Sequence, residues 1–155
     1  MTPRKQSATQ HSTLSTQHFS WPVRVYYEDT DLGGVVYYAN YLRFMERART
    51  EWLRALGFEQ TALARDQGVV FVVSSLAIDY LKPAAFNDEL AVTVELEKLG
   101  AGQIILMQRI TRGAEELATA RVRIACVNTA TFRPVRIPSS LSDCLHRKAA
   151  KGKTA

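Results

Sequence analysis

Residues 23–57, VRVYYEDTDLGGVVYYANYLRFMERARTEWLRALG, change their period midway, and that change constrains the fold more than any other feature. The stretch opens at period two. Val23, Val25 and Tyr27 alternate with Arg24, Tyr26 and Glu28, the pattern of a strand with one covered face. Residues 28–34, EDTDLGG, then break the alternation with turn-forming acids and two glycines. From about Ala39 the period becomes helical. Tyr41, Phe44, Met45, Ala48, Trp52, Leu53 and Leu56 recur at spacings of three and four, with charged and polar residues between them. Asn40 or a near neighbour suits the N-cap, and Gly57 stands where a left-handed residue closes a helix. An acid-bearing turn therefore delivers the chain to a helix N-terminus, which carries unpaired N–H groups and a partial positive charge. A carboxylate beside such donors has the ingredients for hydrolysing a carbonyl compound.

The remainder of the 155 residues fits one domain around this segment. Residues 1–20 are rich in Ser, Thr and Gln without periodicity and read as a disordered leader. Residues 21–28 form the first strand. A short helix is expected over 59–67, stopped by Gly68. Residues 69–80 predict a strand whose apolar first half, VVFVV, implies cover on both faces. Strands over 90–97, 103–111 and 117–127, joined by short turns, predict an antiparallel meander. A terminal helix over 141–149 runs into a basic tail, so the domain is expected to span 21–146 and the tail 147–155. One long helix against a mostly antiparallel sheet is an α+β fold. Such a sheet has an open edge, which a second subunit can cover.

Composition excludes several functions. No apolar run reaches membrane-spanning length and residues 1–20 lack a signal-peptide core, so a cytoplasmic, non-membrane protein is expected. The net charge of +5 owes six bases to the ends: Arg4, Lys5, Arg147, Lys148, Lys151 and Lys153. Without them the body is nearly neutral, which argues against a nucleic-acid partner. Cys126 and Cys144 match no metal spacing, and no metal or cofactor is expected. His11, His18 and His146 lie at or outside the domain margins, so a Ser- or Cys-based triad lacks its base and the chemistry falls to a carboxylate.

The run YYEDTDLGGVVYYANYLRFMERART resembles the signature of the hot-dog-fold acyl-CoA thioesterases. It is most similar to the tol-pal-associated YbgC-like group and, more distantly, to 4-hydroxybenzoyl-CoA thioesterase. FVVSSLAIDYLKPAAFNDEL and ARVRIACVNTATFRPVRIP extend the similarity over about residues 21–142. The resemblance implies a hot-dog sheet wrapped around the central helix, a homodimer or tetramer, and acyl-CoA, or an acyl carrier protein, as partner. By position it makes Asp31 the catalytic acid, either activating water or attacking the carbonyl itself, and Asp29 a structural turn acid. The backbone N–H of Tyr38 becomes the oxyanion donor within the segment from Gly34 to Asn40. Many YbgC-like chains have histidine at the Tyr38 position, so a histidine side-chain role there does not carry over. Glu46 is the alternative acid, since some hot-dog enzymes carry theirs on this helix. Lys82, Arg133 and Arg136 are candidates for coenzyme phosphates, and Val36, Phe44 and Phe71 for the acyl slot. Two rival functions share the fold: a hydratase or dehydratase, whose usual histidine has no counterpart, and a non-catalytic acyl-CoA or acyl-carrier-protein binding module.

Overall fold

The structure, a computed structural model, describes residues 18–152; the leader segment 1–17 and residues 153–155 lie outside the described residues. Chain order is β1 (His18–Arg24), a 3-10 turn (Tyr27–Asp29), α1 (Asn40–Ala55), α2 (Gln60–Gln67), β2 (Val69–Tyr80), β3 (Glu89–Leu99), β4 (Gln103–Arg112), β5 (Glu115–Asn128) and α3 (Ser139–Gly152). The five strands make one antiparallel sheet in the order β1-β3-β4-β5-β2. The meander β3–β4–β5 forms its centre, as the short turns at Gly100–Gly102 and Arg112–Gly113 require.

Period-two apolar rows give the sheet one dry face. Leu90, Val92, Val94, Ile104, Leu106, Ile110, Ala118, Ala120 and Val122 are buried there. The helical row Tyr41, Phe44, Met45, Ala48, Trp52 and Leu53 covers them. Complete burial of a side chain such as Phe44 or Met45 contributes on the order of 2 kcal/mol. One polar side chain lies in this core. Gln108 is wholly buried, donates from Nε2 to Met45 O (3.1 Å), and accepts from Arg49 through Oε1 (2.9 Å). It joins α1 to the sheet with its hydrogen bonds satisfied.

Several features differ from the sequence reading. β1 begins at His18, inside the expected leader, because His18, Phe19 and Ser20 pair with Glu95, Val94 and Thr93 of β3. It stops at Arg24 rather than residue 28, since the Asp29 carboxylate accepts Tyr26 N–H (2.8 Å) and curls the chain into the 3-10 turn. α3 continues to Gly152, through residues expected in the tail; Leu141 and Leu145 anchor it in the core, and the following Arg, Lys and Ala are good helix formers. Finally, among the described residues β2 is an edge strand paired only with β5, and Val73 is 47% exposed, so VVFVV is not covered on both faces there. Among the described residues no helix is long and apolar enough to cross a membrane.

Candidate active site

The acidic turn sorts its two aspartates into different environments. Asp29 is buried, and besides the Tyr26 N–H on its carboxylate, its carbonyl accepts Tyr37 N–H (2.9 Å) and Asn40 Nδ2 (2.9 Å). All these bonds hold the turn against the start of α1. Asn40 thus ties helix to turn instead of capping; α1 has no side-chain cap. Asp31 is exposed at the tip of a small hairpin closed by the Thr30–Val36 bridge. Its N–H donates to Val35 O (2.9 Å), and its Oδ1 accepts Gly33 N–H (2.8 Å). Among the described residues nothing bonds to its Oδ2. Gly34, at φ 77°, completes the turn by donating to Asp31 O (3.0 Å).

The N–H groups leading into α1 are unequally used. Gly34, Val36, Tyr37 and Asn40 donate to Asp31 O, Ala84 O, Asp29 O and Tyr37 O. Tyr38 and Ala39 N–H have no acceptor among the described residues. Tyr38 borders a cavity of about 290 Å³ lined by Val36, Tyr41, Tyr80, Leu81, Lys82 and Pro83. Its walls are aromatic: the Tyr80 ring stands edge-on to those of Tyr38 (6.4 Å) and Tyr41 (5.3 Å). The Tyr80 hydroxyl donates to Tyr38 O (2.8 Å), and Tyr41 OH accepts Ala84 N–H (3.0 Å). Burial pushes the Tyr80 phenol above its ordinary range, with Tyr38 and Tyr41 adding to the effect. Lys82 sits at the rim, 3.3 Å from Glu115.

Other candidates are placed elsewhere. Glu46 is exposed, accepts the Thr50 hydroxyl (3.1 Å), and borders a separate cavity of about 170 Å³ with Arg49, Phe71, Val72 and Val73. Burial there pulls the Arg49 guanidinium below its ordinary range, partly offset by Glu46. Phe71 therefore lines that second cavity, whereas Phe44 is wholly buried in the core and offers no wall to a substrate. Val36 alone of the three expected acyl-slot residues borders the Tyr38 cavity. Arg133 and Arg136 are exposed near the opposite end of the sheet. Arg133 O accepts Asn128 N–H, and Asn128 pairs with Val69 at the start of β2, whereas Tyr80 and Lys82 lie at its finish. Eleven residue steps separate the two ends, about 35 Å. One mouth in one chain cannot use both Lys82 and these arginines. Tyr41 and Tyr80 were missed as cavity residues; Tyr80's place just before Lys82-Pro83, where β2 must stop, was the available signal. Among the described residues no cluster of three His, Cys, Asp or Glu is placed to hold a metal ion.

Known proteins resemble this chain over most of its length. The family model for the thioesterase-like superfamily matches residues 25–145. An acyl-CoA thioesterase YbgC of Haemophilus influenzae is 48% identical over 128 residues, covering 83% of this chain and 94% of that one. The acyl-CoA thioester hydrolase YbgC of Escherichia coli O157:H7 is 42% identical, over 83% of this chain and 96% of its own. Among solved structures, a probable thioesterase from Bartonella henselae has 38% identity and a TM-score of 0.75, covering 78% of this chain and 99% of that chain. The chain belongs to the thioesterase-like superfamily, as a hot-dog-fold relative of the YbgC acyl-CoA thioesterases.

Proposed function

We infer that this protein hydrolyses acyl-CoA thioesters to the free acid and coenzyme A. The observation that carries the reading is the pair of uncommitted N–H groups, Tyr38 and Ala39, at the mouth of α1 beside an aromatic cleft. A thioester carbonyl seated there develops negative charge on oxygen as the tetrahedral intermediate forms. Fixed N–H donors and the helix dipole stabilise that oxyanion, each donor by roughly 3 kcal/mol. Asp31 supplies the other half. Its carboxylate either takes a proton from the attacking water or adds to the carbonyl to give an anhydride that water then opens. Either way the C–S bond breaks, the thiolate leaves and is protonated, and the acyl carbon keeps a water oxygen.

Asp31 lines neither the Tyr38 cavity nor the Glu46 cavity. We therefore place the reaction in a cleft completed by a second copy. The unpaired edge of β2 and the exposed Tyr26, Leu32 and Tyr37 around the acidic turn are the surfaces such a copy would cover. Lys82, at the rim, is the base placed to meet a coenzyme phosphate.

Asp31→Asn tests the assignment, because asparagine keeps the shape and loses the charge. With the best acyl-CoA, kcat is expected to fall roughly 100-fold or more while KM and Tm stay near the parent's. A folded variant within about threefold of the parent's kcat sinks the role of Asp31 and makes Glu46 the next acid to examine. Sedimentation of the same preparation should give a dimer or larger species; a fully active single chain overturns the shared cleft.

A further inference from the structure

Resting on the thioesterase reading, a second inference concerns how the two donor N–H groups are held. A peptide unit is planar and trans, so its C=O and N–H point in opposite directions and fixing one aims the other. Tyr38 N–H belongs to the peptide whose carbonyl is Tyr37 O, and that oxygen is pinned by Asn40 N–H at 2.8 Å. Ala39 N–H belongs to the next peptide, whose carbonyl is Tyr38 O. The first backbone bond of the helix bypasses this oxygen, because Leu42 N–H closes onto Ala39 O at 3.1 Å. Among the described residues the partner given to Tyr38 O is a side chain: the Tyr80 hydroxyl, at 2.8 Å from the far end of β2. With no side-chain cap on α1, nothing else in the immediate sequence holds that peptide plane.

We propose that Tyr80 is a positioning residue for catalysis, its hydroxyl locking the Tyr38–Ala39 peptide so that Ala39 N–H serves beside Tyr38 N–H as a second oxyanion donor. A hydrogen bond accepted by the carbonyl also polarises the amide and makes its N–H a better donor. Burial keeps the phenol protonated, and therefore donating, to higher pH than an ordinary tyrosine. The ring is fixed independently by its edge-on contacts with Tyr38 and Tyr41, so the hydroxyl arrives at Tyr38 O already oriented.

Tyr80→Phe removes the hydroxyl and keeps those ring contacts. Expected are a fall in kcat of roughly tenfold with KM within about twofold, a displaced Ala39 amide resonance in the free protein, and an unchanged melting curve. A chain with para-aminophenylalanine in place of Tyr80, which restores a donor at the same point, should recover most of the turnover. A residue that merely packs predicts another pattern: lower Tm, kcat intact in the folded fraction, and no rescue. An active parent with an unimpaired Tyr80→Phe variant, or an Ala39 amide that does not move, overturns this inference alone. A parent without turnover on any acyl-CoA overturns the thioesterase reading, and the positioning role with it.

Discussion

The two ends of α1 are built on opposite rules. At the C-terminal end the backbone is closed off. Gly57, at φ 94°, donates to Arg54 O (3.0 Å), and Phe58 N–H reaches back to Leu53 O (2.9 Å), the paired bonds of a glycine-terminated helix. Arg54 lies over that last turn, paired with Glu51 and with Glu59 (2.7 Å). At the N-terminal end no side chain caps the helix, the Tyr38 and Ala39 N–H groups are without an acceptor among the described residues, and the holding contacts come from outside: Asn40 to Asp29 O and Tyr80 to Tyr38 O. A helix end that satisfies its own backbone has nothing left to offer a ligand. The contrast separates a residue set that stabilises from one that binds, and each half can be broken without the other.

The largest expected effect is on the closed end. A β-branched side chain is strained at the positive φ of Gly57, so Gly57→Val should lower stability by about 1–3 kcal/mol. Activity measured well below Tm should be the parent's, since Gly57 lies at the far end of the helix from Tyr38. A kcat that falls in parallel with Tm would show the two ends to be coupled. Next in size is Asn40→Ala. It removes one bond between turn and helix, worth roughly 1 kcal/mol. Here kcat should drop several-fold, in contrast with the Gly57 variant, because the lost bond ties Asp29 O, two residues before Asp31, to the first residue of α1. An Asn40→Ala enzyme that is destabilised but fully active would erase the distinction between the ends.

The same contrast explains what the sequence could and could not reveal. Gly57 and Gly68 were legible because left-handed backbone is a local demand, and both take positive φ in the structure. The helix and the meander were legible from their periods and β2 from its apolar run, which depend only on neighbours a few residues away. Asp31, Tyr38 and Asn40 stand in one continuous motif, which the sequence shows, but it does not show that Asp31 lies outside the cavity that Tyr38 borders. Tyr80 could not be found that way: it is 42 residues from Tyr38 in sequence, and the register of β2 on β5 delivers it. Apolarity in VVFVV announced two dry faces without saying what dries them, and the structure puts that strand at an edge. Arg133 and Arg136 failed as partners of Lys82 for a related reason, since loop position says nothing about which end of the sheet a loop occupies. β1 starts three residues ahead of the expected strand because its pairing with β3 recruits residues of unremarkable composition.

The smallest effect is a pH dependence that should distinguish the ends once more. Residues 84–88 back the open end: Ala84 O accepts Val36 N–H (2.8 Å), and Asp88 O accepts Val25 N–H (3.0 Å). Asp88 shapes this loop through Oδ2, which accepts from Ala85 N–H (2.8 Å) and Arg112 (2.6 Å). Burial opposes its charge, but those donors outweigh burial and hold its carboxyl below the usual carboxylate range. A depressed folded pKa means the stabilisation is fully present above the unfolded value, about 4, and is lost as pH falls through the lower folded value. The exposed Arg54 pairs at the closed end contribute little at any pH. Below about pH 4 the parent should therefore lose Tm faster than Asp88→Asn, which has no charge there to lose, by a few degrees at most. Amide exchange in the same range should rise first at Val25 and Val36, ahead of Gly57 and Phe58. Melting curves of parent and variant that stay parallel through acid would show that Asp88 does not hold the open end by its charge.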